Sequence, residues 1–390
     1  MENNSDLKET ILVLIHDSIS KNIKLYSSPK MKERIFDNVF ELLTITIFQD
    51  DLCDLIYDNI DYYFSTVGYP RSIIPTKIIR KVDQQKIENR IVELKTIKQP
   101  DQNTKEWFEF RWNLLSASSM WKVWGTQSSQ NQLILGKCKP IDDKSKHVNI
   151  NSTFHHGHKY EPLSTMLYEY LFDTEISEWG CIRHRDYNFI GASPDGINTK
   201  KGNDRYGRML EIKNIVNREI TGEPKMEYWI QMQIQMEVWD LDECDFLETR
   251  FKEYESEEDF KKDGSFQKTS NDKMKGIIVC FYDNGKPVYK YSPLGISKEG
   301  YDKWYDDCLD KNSTITWVRN IYWYLDQYSC VLTLRNREWF NGVVNDIHNC
   351  WKTILYEREH GYEHRKPKKR NKKEEKVISI VTETFNNCKS

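Results

Sequence analysis

The sequence predicts an α/β fold, a mixed sheet flanked by helices, with an all-helical amino-terminal domain in front of it. Apolar residues recur at helical spacing through residues 1–100. Between residues 180 and 291, short runs of strand-forming residues alternate with turn residues and one long helical segment. Asp283-Asn284-Gly285 separates two of these runs and indicates a hairpin. This combination is typical of helices packed against a mixed sheet.

The amino-terminal domain carries no pattern that suggests chemistry. We predict helices over four segments: Leu7 to Ile15, Met31 to Ile47, Leu52 to Phe64 and Ile78 to Ile97. A linker is expected around residues 98–104. Residues 1–100 are therefore assigned to packing, self-association or partner binding.

The central domain is predicted at residues 104–330, followed by a C-terminal helical segment at 331–362 and a basic tail at 363–390. The predicted strands of the central domain are Gly180 to His184, Tyr187 to Ala192, Arg208 to Ile215, Cys244 to Tyr254, Gly276 to Tyr282 and Lys286 to Tyr291. Its principal predicted helix is Tyr228 to Trp239. A polar loop is expected at 126–152. We expect the tail to be disordered because it is dense in Lys and Arg.

Composition excludes several classes of protein. The nine cysteines of the 390-residue chain form no Cys-x-x-Cys pair, which favours reduced thiols over a zinc finger or an iron–sulfur site. Apolar runs are too short for a membrane helix, and the polar start does not resemble a secretory signal. We therefore expect an intracellular, reducing location such as the cytoplasm. The basic tail is a nuclear-import signal, a phosphate-binding tail or simply a solvated tail.

Two short motifs carry the chemistry. Ser193-Pro194-Asp195-Gly196 turns the chain sharply, because Pro fixes φ and Gly tolerates unusual backbone angles, so Asp195 is placed at a strand end. In Glu211-Ile212-Lys213, both charged side chains point to one face of a strand. Two adjacent strands could thus present Asp195, Glu211 and Lys213 to one point. This trio predicts a metal site that cuts phosphodiesters.

Oxygen ligands favour Mg²⁺ or Mn²⁺ at this point. Asp195 and Glu211 would hold the ion with help from Glu161 and the Ile212 carbonyl. Lys213 would orient or deprotonate the attacking water and offset charge in the transition state. The sequence contains no Gly-x-Ser-x-Gly, Walker or Gly-x-Gly-x-x-Gly motif that would favour another enzyme class.

Residues upstream of the two motifs have less specific signals. Arg111 follows Trp107 and precedes a small hydroxyl cluster in which Ser118 or Ser119 would cap a helix, so the region could bind an anion or could simply be core and surface. We expect Glu161 to open a helix with Pro162 at its first position. His158 is a weak metal candidate, since no second His or Cys cluster accompanies it.

The helix Tyr228 to Trp239 contains three glutamines in an otherwise apolar segment. Gln231 and Gln235 lie on one broad side of the helix, and Gln233 lies about 160° from a neighbour two residues away. Buried amides require hydrogen-bond partners, so a role near the site is plausible, with solvated glutamines as the alternative.

Together these motifs resemble the PD-(D/E)XK nucleases, and within them the lambda-exonuclease-like, YqaJ-type viral recombinase branch. The resemblance covers residues 104–255. It rests on five motifs in the family's order: Trp107-x3-Arg111 with Ser116-Ala117-Ser118, Gly157-x-x-Tyr160-Glu161, Ser193-x-Asp195, Glu211-x-Lys213, and Tyr228-x-x-Gln231-x-Gln233. One departure is Asn214-Ile215, where the family often has a small residue and Pro.

The resemblance implies a restriction-endonuclease-like core and a Mg²⁺/Mn²⁺-dependent deoxyribonuclease, in its best-known members a 5′ to 3′ exonuclease on linear duplex DNA. It implies that Glu161, Asp195, Glu211, Lys213 and Gln231 form the catalytic site. It also implies that Arg111, Ser118, Ser193 and Gln233 bind the DNA end and its 5′-phosphate, with Trp107, His158 and Tyr228 as weaker candidates. A homo-oligomer and a single-strand annealing protein are the expected partners. The resemblance also implies viral or mobile-element recombination as the setting, which adds a viral factory to the expected locations.

Two alternatives remain open from the sequence. The same fold could be an endonuclease or a CRISPR-adaptation-like nuclease. The chain could also be an idle adaptor that binds DNA ends, although every catalytic position holds a competent residue.

Overall fold

The computed structural model describes residues 2–26, 28–44, 52–67, 83–102, 104–141 and 153–367. Parts of the predicted helices around 45–47 and 78–82, the expected loop at 142–152 and the basic tail from residue 368 lie outside these ranges. No helix within them is long and apolar enough to cross a membrane.

The amino-terminal region is helical, as predicted. Helices α1 (Glu2–Lys21), α2 (Met31–Thr44) and α3 (Leu52–Val67) share a core that includes Ile15, Val39 and Phe64. Helix α4 (Gln84–Thr96) instead packs on the main body, where Leu94 joins the central core. The Arg90 Nε of α4 also donates to the Trp239 carbonyl at 2.8 Å. The domain boundary near residue 100 stays a prediction.

The remaining described elements are helices and strands in mixed order. The helices are α5 (Lys105–Trp112), α6 (Ala117–Met120), α7 (Gln127–Cys138), α8 (Thr153–Phe172), α9 (Met226–Trp239), α10 (Glu257–Lys262), α11 (Lys298–Lys311) and α12 (Arg337–His360). The strands are β1 (Leu115–Ser116), β2 (Ile176–Ser177), β3 (Ile182–Arg183), β4 (Ile190–Ala192), β5 (Gly196–Asn198), β6 (Met209–Asn214), β7 (Glu243–Glu253), β8 (Lys275–Asp283), β9 (Lys286–Tyr291) and β10 (Thr316–Leu334).

The strands form a mixed sheet, which confirms the predicted fold class. The order of the seven-stranded sheet is β2-β5-β6-β7-β10-β8-β9. Strands β6 and β7 run parallel, and the other neighbouring pairs run antiparallel. A smaller sheet has the order β1-β4-β3, with β1 parallel to β4.

Helices cover both faces of the sheet beside β6. Met209 points into the core that contains α9, whereas Leu210 and Ile212 pack against Tyr168 of α8. Side chains alternate along a strand, so Glu211 and Lys213 share the α9 face with Met209. Strand β6 thus lies between the two helices that carry the other predicted site residues.

The hairpin predicted at Asp283-Asn284-Gly285 is confirmed. It joins β8 to β9, and Asn284 and Gly285 both have positive φ, at 45° and 81°. A two-residue turn of this kind needs positive φ at both central positions, which Asn and Gly adopt more easily than other residues.

Three local predictions are wrong. Residues 127–138 form α7 where a loop was expected, because Thr126 caps the helix and Leu133, Ile134 and Cys138 bury its second half. Helix α8 begins at Thr153, so Glu161 does not open it and Pro162 lies inside. Proline has no N–H to bond the His158 carbonyl four residues earlier. Side chains of Asn214 and Tyr291 donate to the carbonyls on either side, of Gly157 and Lys159, and so hold this part of the helix in place.

The third difference concerns the hydroxyl cluster after β1. Ser116 is the N-cap and α6 begins at Ala117, rather than at Ser118 or Ser119. The backbone of Ser116 is extended because it pairs with Gly191 of β4, so the helix starts at the residue after this pairing.

Candidate active site

The site lies on the free edge of β6, beyond the end of β5. Strand β5 pairs with Met209 and Leu210 and then leaves the edge of β6. Asp195, just before β5, donates its backbone N–H to the Leu210 carbonyl at 3.1 Å. Its Oδ2 accepts the N–H of Ile212 at 2.6 Å. The N–H and C=O of one strand residue point to the same side, so the Ile212 carbonyl also faces this edge.

Glu211 and Lys213 lie beside Asp195 on the α9 face of β6. Glu211 is fully buried, and its Oε1 accepts a hydrogen bond from the Lys213 ammonium. Its Oε2 accepts a hydrogen bond from Gln235 Nε2 at 2.7 Å. The Lys213 Nζ lies 5.1 Å from the centre of the Tyr228 ring, a favourable contact for a cation.

Glu161 approaches the same edge from α8. Burial raises its pKa; His158 and Lys213 oppose that rise, whereas the Glu211 carboxylate adds to it. Burial, and then the Glu211 charge, raise the pKa of Asp195 well above its usual value, with a further contribution from Glu161. The three carboxylates therefore share one electrostatic site.

Lys213 is the cation inside this acidic group. Burial alone would lower its pKa, but Glu211 and Asp195 outweigh that effect, so the pKa is raised and the side chain stays an ammonium ion. When all three carboxyl groups are ionised, the single ammonium leaves a surplus of negative charge.

This surplus fits a divalent cation. The donors that face the edge are carboxylate and carbonyl oxygens, which Mg²⁺ and Mn²⁺ prefer. In the described part of the chain, no group of three or more His, Cys, Asp or Glu side chains is arranged to hold a metal ion by itself.

A second group of predicted residues lies at the end of the small sheet. Strands β1 and β4 are parallel, with Ser116 beside Gly191. Ser118 and Ser193 each follow two residues later, so both lie at the carboxyl ends of these strands. The Ser193 hydroxyl donates to the Trp179 carbonyl at 3.2 Å.

Arg111 lies at this same end of the small sheet. Burial raises the pKa of the Cys181 thiol and the nearby Arg111 charge opposes that rise; the next residue, Ile182, pairs with Ala192 of β4. The Arg111 guanidinium lies 4.7 Å from the centre of the Trp107 ring. The structure therefore brings Arg111, Ser118 and Ser193 to one edge, next to Asp195.

The glutamines of α9 separate into two groups. Gln233 is fully buried and hydrogen-bonds the Leu334 carbonyl at 2.8 Å and the Asn336 N–H at 2.7 Å, which ties α9 to the start of α12. This placement leaves Gln233 no surface for DNA, so the proposed DNA site does not include it. Gln231 is half-buried, one turn before Gln235 on the same side of the helix.

Gln235 is the residue that sequence reasoning missed. Its Nε2 bridges the Glu211 carboxylate and, at 3.1 Å, the Ser193 carbonyl. It thereby connects the loop before Asp195 to the strand that carries Glu211. The shared side with Gln231 was the available signal, but the sequence does not tell which turn of the helix reaches Glu211.

We expect Gln235→Leu to lower the turnover rate about 10- to 100-fold, because Glu211 loses the donor that fixes its second oxygen. The matched control is Gln233→Leu in the same helix, which removes two structural hydrogen bonds. It should lower thermal stability and leave turnover per folded molecule unchanged. Equal losses of turnover in the two variants would contradict the role given to Gln235.

The fold and the site define a nuclease-type protein: a mixed sheet with Asp195, Glu211 and Lys213 at the edge of a central strand. Residues 106–242 match the sequence model of the YqaJ-like viral recombinase domain. This part of the chain is therefore similar to that domain family, which confirms the predicted resemblance.

Other comparisons extend beyond this domain. An uncharacterized protein of Acanthamoeba polyphaga mimivirus is 30% identical over 376 residues, which cover 85% of this chain and 64% of that protein. The chain thus spans about two-thirds of the length of this curated relative.

The solved structures to which this chain shows a low similarity are described as exonucleases. The alkaline exonuclease LHK-Exo of Laribacter hongkongensis, in a crystal structure without a named ligand, is 20% identical, with 67% of this chain and 95% of that chain covered and a TM-score of 0.37. Its complex with dAMP has a TM-score of 0.38 at 20% identity, with 66% and 95% covered. A phage-related exonuclease of Haemophilus somnus is 14% identical, with 63% and 96% covered and a TM-score of 0.35.

Proposed function

We propose that the protein is a Mg²⁺- or Mn²⁺-dependent deoxyribonuclease that degrades linear duplex DNA from its ends, in the 5′ to 3′ direction. One observation carries the proposal. Asp195 is held on the Ile212 N–H at the free edge of β6, directly beside the Glu211–Lys213 pair. This arrangement joins metal-binding oxygens to a cation that can act on a phosphate.

Asp195, Glu211 and the Ile212 carbonyl would hold the ion, with Glu161 close enough to contribute through its charge. When bound, the ion would polarise the phosphate and activate water. Lys213 holds the water for attack and offsets the charge that develops on the phosphate. Gln235 keeps Glu211 in place, and Gln231 lies on the same side of α9, where it can approach the water or the phosphate.

The second group would bind the DNA end. Arg111 offers a guanidinium to a terminal 5′-phosphate, and the hydroxyls of Ser118 and Ser193 supply further donors. The Trp107 ring packs against the Arg111 guanidinium. Tyr228 covers Lys213, and His158 is exposed near Glu161.

The wider assignments are also proposals. We infer that α1–α3 serve self-association or partner binding, since their shared core is separate from that of the sheet. A homo-oligomer that passes processed ends to a single-strand annealing protein, inside a virus-infected cell, fits the domain family and the viral relative.

The proposed binding of a 5′-phosphate by Arg111 is tested with the Arg111→Ala variant on end-labelled duplexes. The parent should degrade 5′-phosphorylated ends at least about 10-fold faster than 5′-hydroxyl ends, because a charge-assisted pair forms only with the phosphate. The variant should lose this preference and keep slow cutting of both ends. A preference that persists in Arg111→Ala would contradict the assignment of Arg111.

A matched control is Arg185→Ala. Arg185 is an exposed arginine paired with its neighbour Asp186, on the turn between β3 and β4. It should leave the preference for 5′-phosphate unchanged.

The same end-labelled duplexes test the direction in which the parent protein cuts. Release of the 3′ label before the 5′ label would reverse the proposed polarity.

A further inference from the structure

Asn214 follows Lys213 at the end of β6, and both the nitrogen and the oxygen of its amide form hydrogen bonds. Its Nδ2 donates to the Gly157 carbonyl at 3.1 Å. Its Oδ1 accepts from the hydroxyls of Ser164, at 2.7 Å, and Thr249, at 2.8 Å. Ser164 and Thr249 are fully buried, so these bonds form away from solvent. A single side chain therefore joins α8, β6 and β7.

The contacts on α8 lie on either side of Glu161. Gly157, Glu161 and Ser164 are spaced at i, i+4 and i+7, which places them on one face of the helix. Asn214 thus contacts this face one turn before and nearly one turn after the glutamate. Two contacts along one face resist both rotation of the helix and sliding along its axis.

The position of Asn214 on β6 completes the geometry. Its side chain points to the α8 face, whereas Glu211 and Lys213 point to the α9 face. Glu161 reaches the edge from one face of the strand, and Glu211 and Lys213 reach it from the other. How far Glu161 extends toward Asp195 therefore depends on how α8 is seated on β6.

We propose that Asn214 is a positioning residue that sets the place of Glu161 relative to Asp195 and Glu211. This inference rests on the proposed nuclease function. Asn214 does not touch the substrate or the reacting atoms. It acts through the seat of α8, with Ser164 and Thr249 as the buried groups that fix its amide.

The test compares Asn214→Ala with Asn203→Ala in the full chain. Asn203 is also half-buried, and its Nδ2 donates to the carbonyls of Phe172 and Asp173 at 3.0 Å each, at the other end of α8. Both variants lose an asparagine that anchors this helix, and both should melt at lower temperature. Asn214→Ala should lower kcat about 10- to 100-fold with KM changed less than about 3-fold. Asn203→Ala should leave both constants near the parent values.

A double-variant cycle separates positioning from a general loss of structure. In a Glu161→Gln background, Asn214→Ala should lower kcat no more than about 2-fold further, since the residue through which it acts is already altered. Losses that multiply would overturn the proposal, as would equal kcat losses in Asn214→Ala and Asn203→Ala. Ser164→Ala removes the hydroxyl that contacts Asn214 and Thr249 but leaves the bonds of Asn214 to Gly157 and Thr249. It should give a smaller loss in the same direction, which covers the case of a poorly folded Asn214→Ala.

The parent protein provides the remaining distinction. A folded parent that cuts DNA while the cycle is multiplicative overturns the role of Asn214 alone. A folded parent that cuts no DNA with Mg²⁺ or Mn²⁺ overturns the nuclease function and this inference together.

Discussion

Replacing Lys213 with methionine should lower the rate of phosphodiester hydrolysis by at least about 10²- to 10³-fold. Lys213 is the cation within the acidic site, and its pKa is raised by Glu211 and Asp195, so it carries a full positive charge at neutral pH. Methionine keeps much of the side-chain volume and removes that charge. The loss should fall on kcat, because the charge acts on the transition state.

The matched control is Lys252→Met on the neighbouring strand β7. Lys252 pairs with Asp326 at 3.1 Å and its side chain is half exposed. This variant should keep the parent rate in a single-turnover assay on linear duplex DNA. A Lys213→Met enzyme that retains more than about a tenth of the parent rate would remove Lys213 from the mechanism.

Asp195→Asn should abolish cutting, with a loss of at least about 10³-fold, since it removes a carboxylate proposed to hold the ion. The asparagine oxygen can still accept the Ile212 N–H, so the local fold should persist. The same change should stabilise the protein when no metal is present.

The sign of this stabilisation follows from the pKa of Asp195. Burial and Glu211 raise its pKa in the folded protein above the usual 3.8, so the folded state holds this proton more tightly than the unfolded state. Stability in EDTA should therefore fall as pH rises above 3.8 through the raised folded value. Asparagine is neutral throughout, so the melting temperature of Asp195→Asn should fall less steeply than that of the parent between about pH 5 and pH 9.

The comparison has an internal control in Mg²⁺. The ion should raise the melting temperature of the parent, because it binds the folded state and neutralises the surplus charge. It should raise that of Asp195→Asn much less. An Asp195→Asn protein that is less stable than the parent in EDTA at pH 8 would contradict the proposed charge surplus.

The sequence predicted those parts of the fold that depend on local signals. Asn284 and Gly285 define a turn on their own, and Glu211-x-Lys213 sits in a strand flanked by apolar residues. Their neighbours in the sheet mattered little for that prediction. Pro162 led to the wrong start for α8. Side chains from β6 and β9 hold the helix around this proline, and these residues are distant in sequence.

The candidate site was predictable as a set of residue types more than as an arrangement. Arg111 and Ser193 lie at the same end of the small sheet because of β1, β3 and β4, which have two or three residues each and leave almost no sequence pattern. The partner of Glu211 on α9 depends on the offset between helix and strand, so Gln235 could not be told from Gln231. Asn214 was visible only as a departure from the family motif.

The most direct test of the account compares linear duplex DNA with a covalently closed circle of the same sequence, in Mg²⁺ and in Mn²⁺. The proposed function predicts that the linear DNA is degraded to nucleotides while the closed circle stays intact, and that EDTA stops the reaction. Equal rates of cutting on the two substrates would contradict the proposal that the protein needs a DNA end, and would indicate an endonuclease. Binding of linear ends without any cutting in either metal would instead leave an adaptor that holds DNA ends.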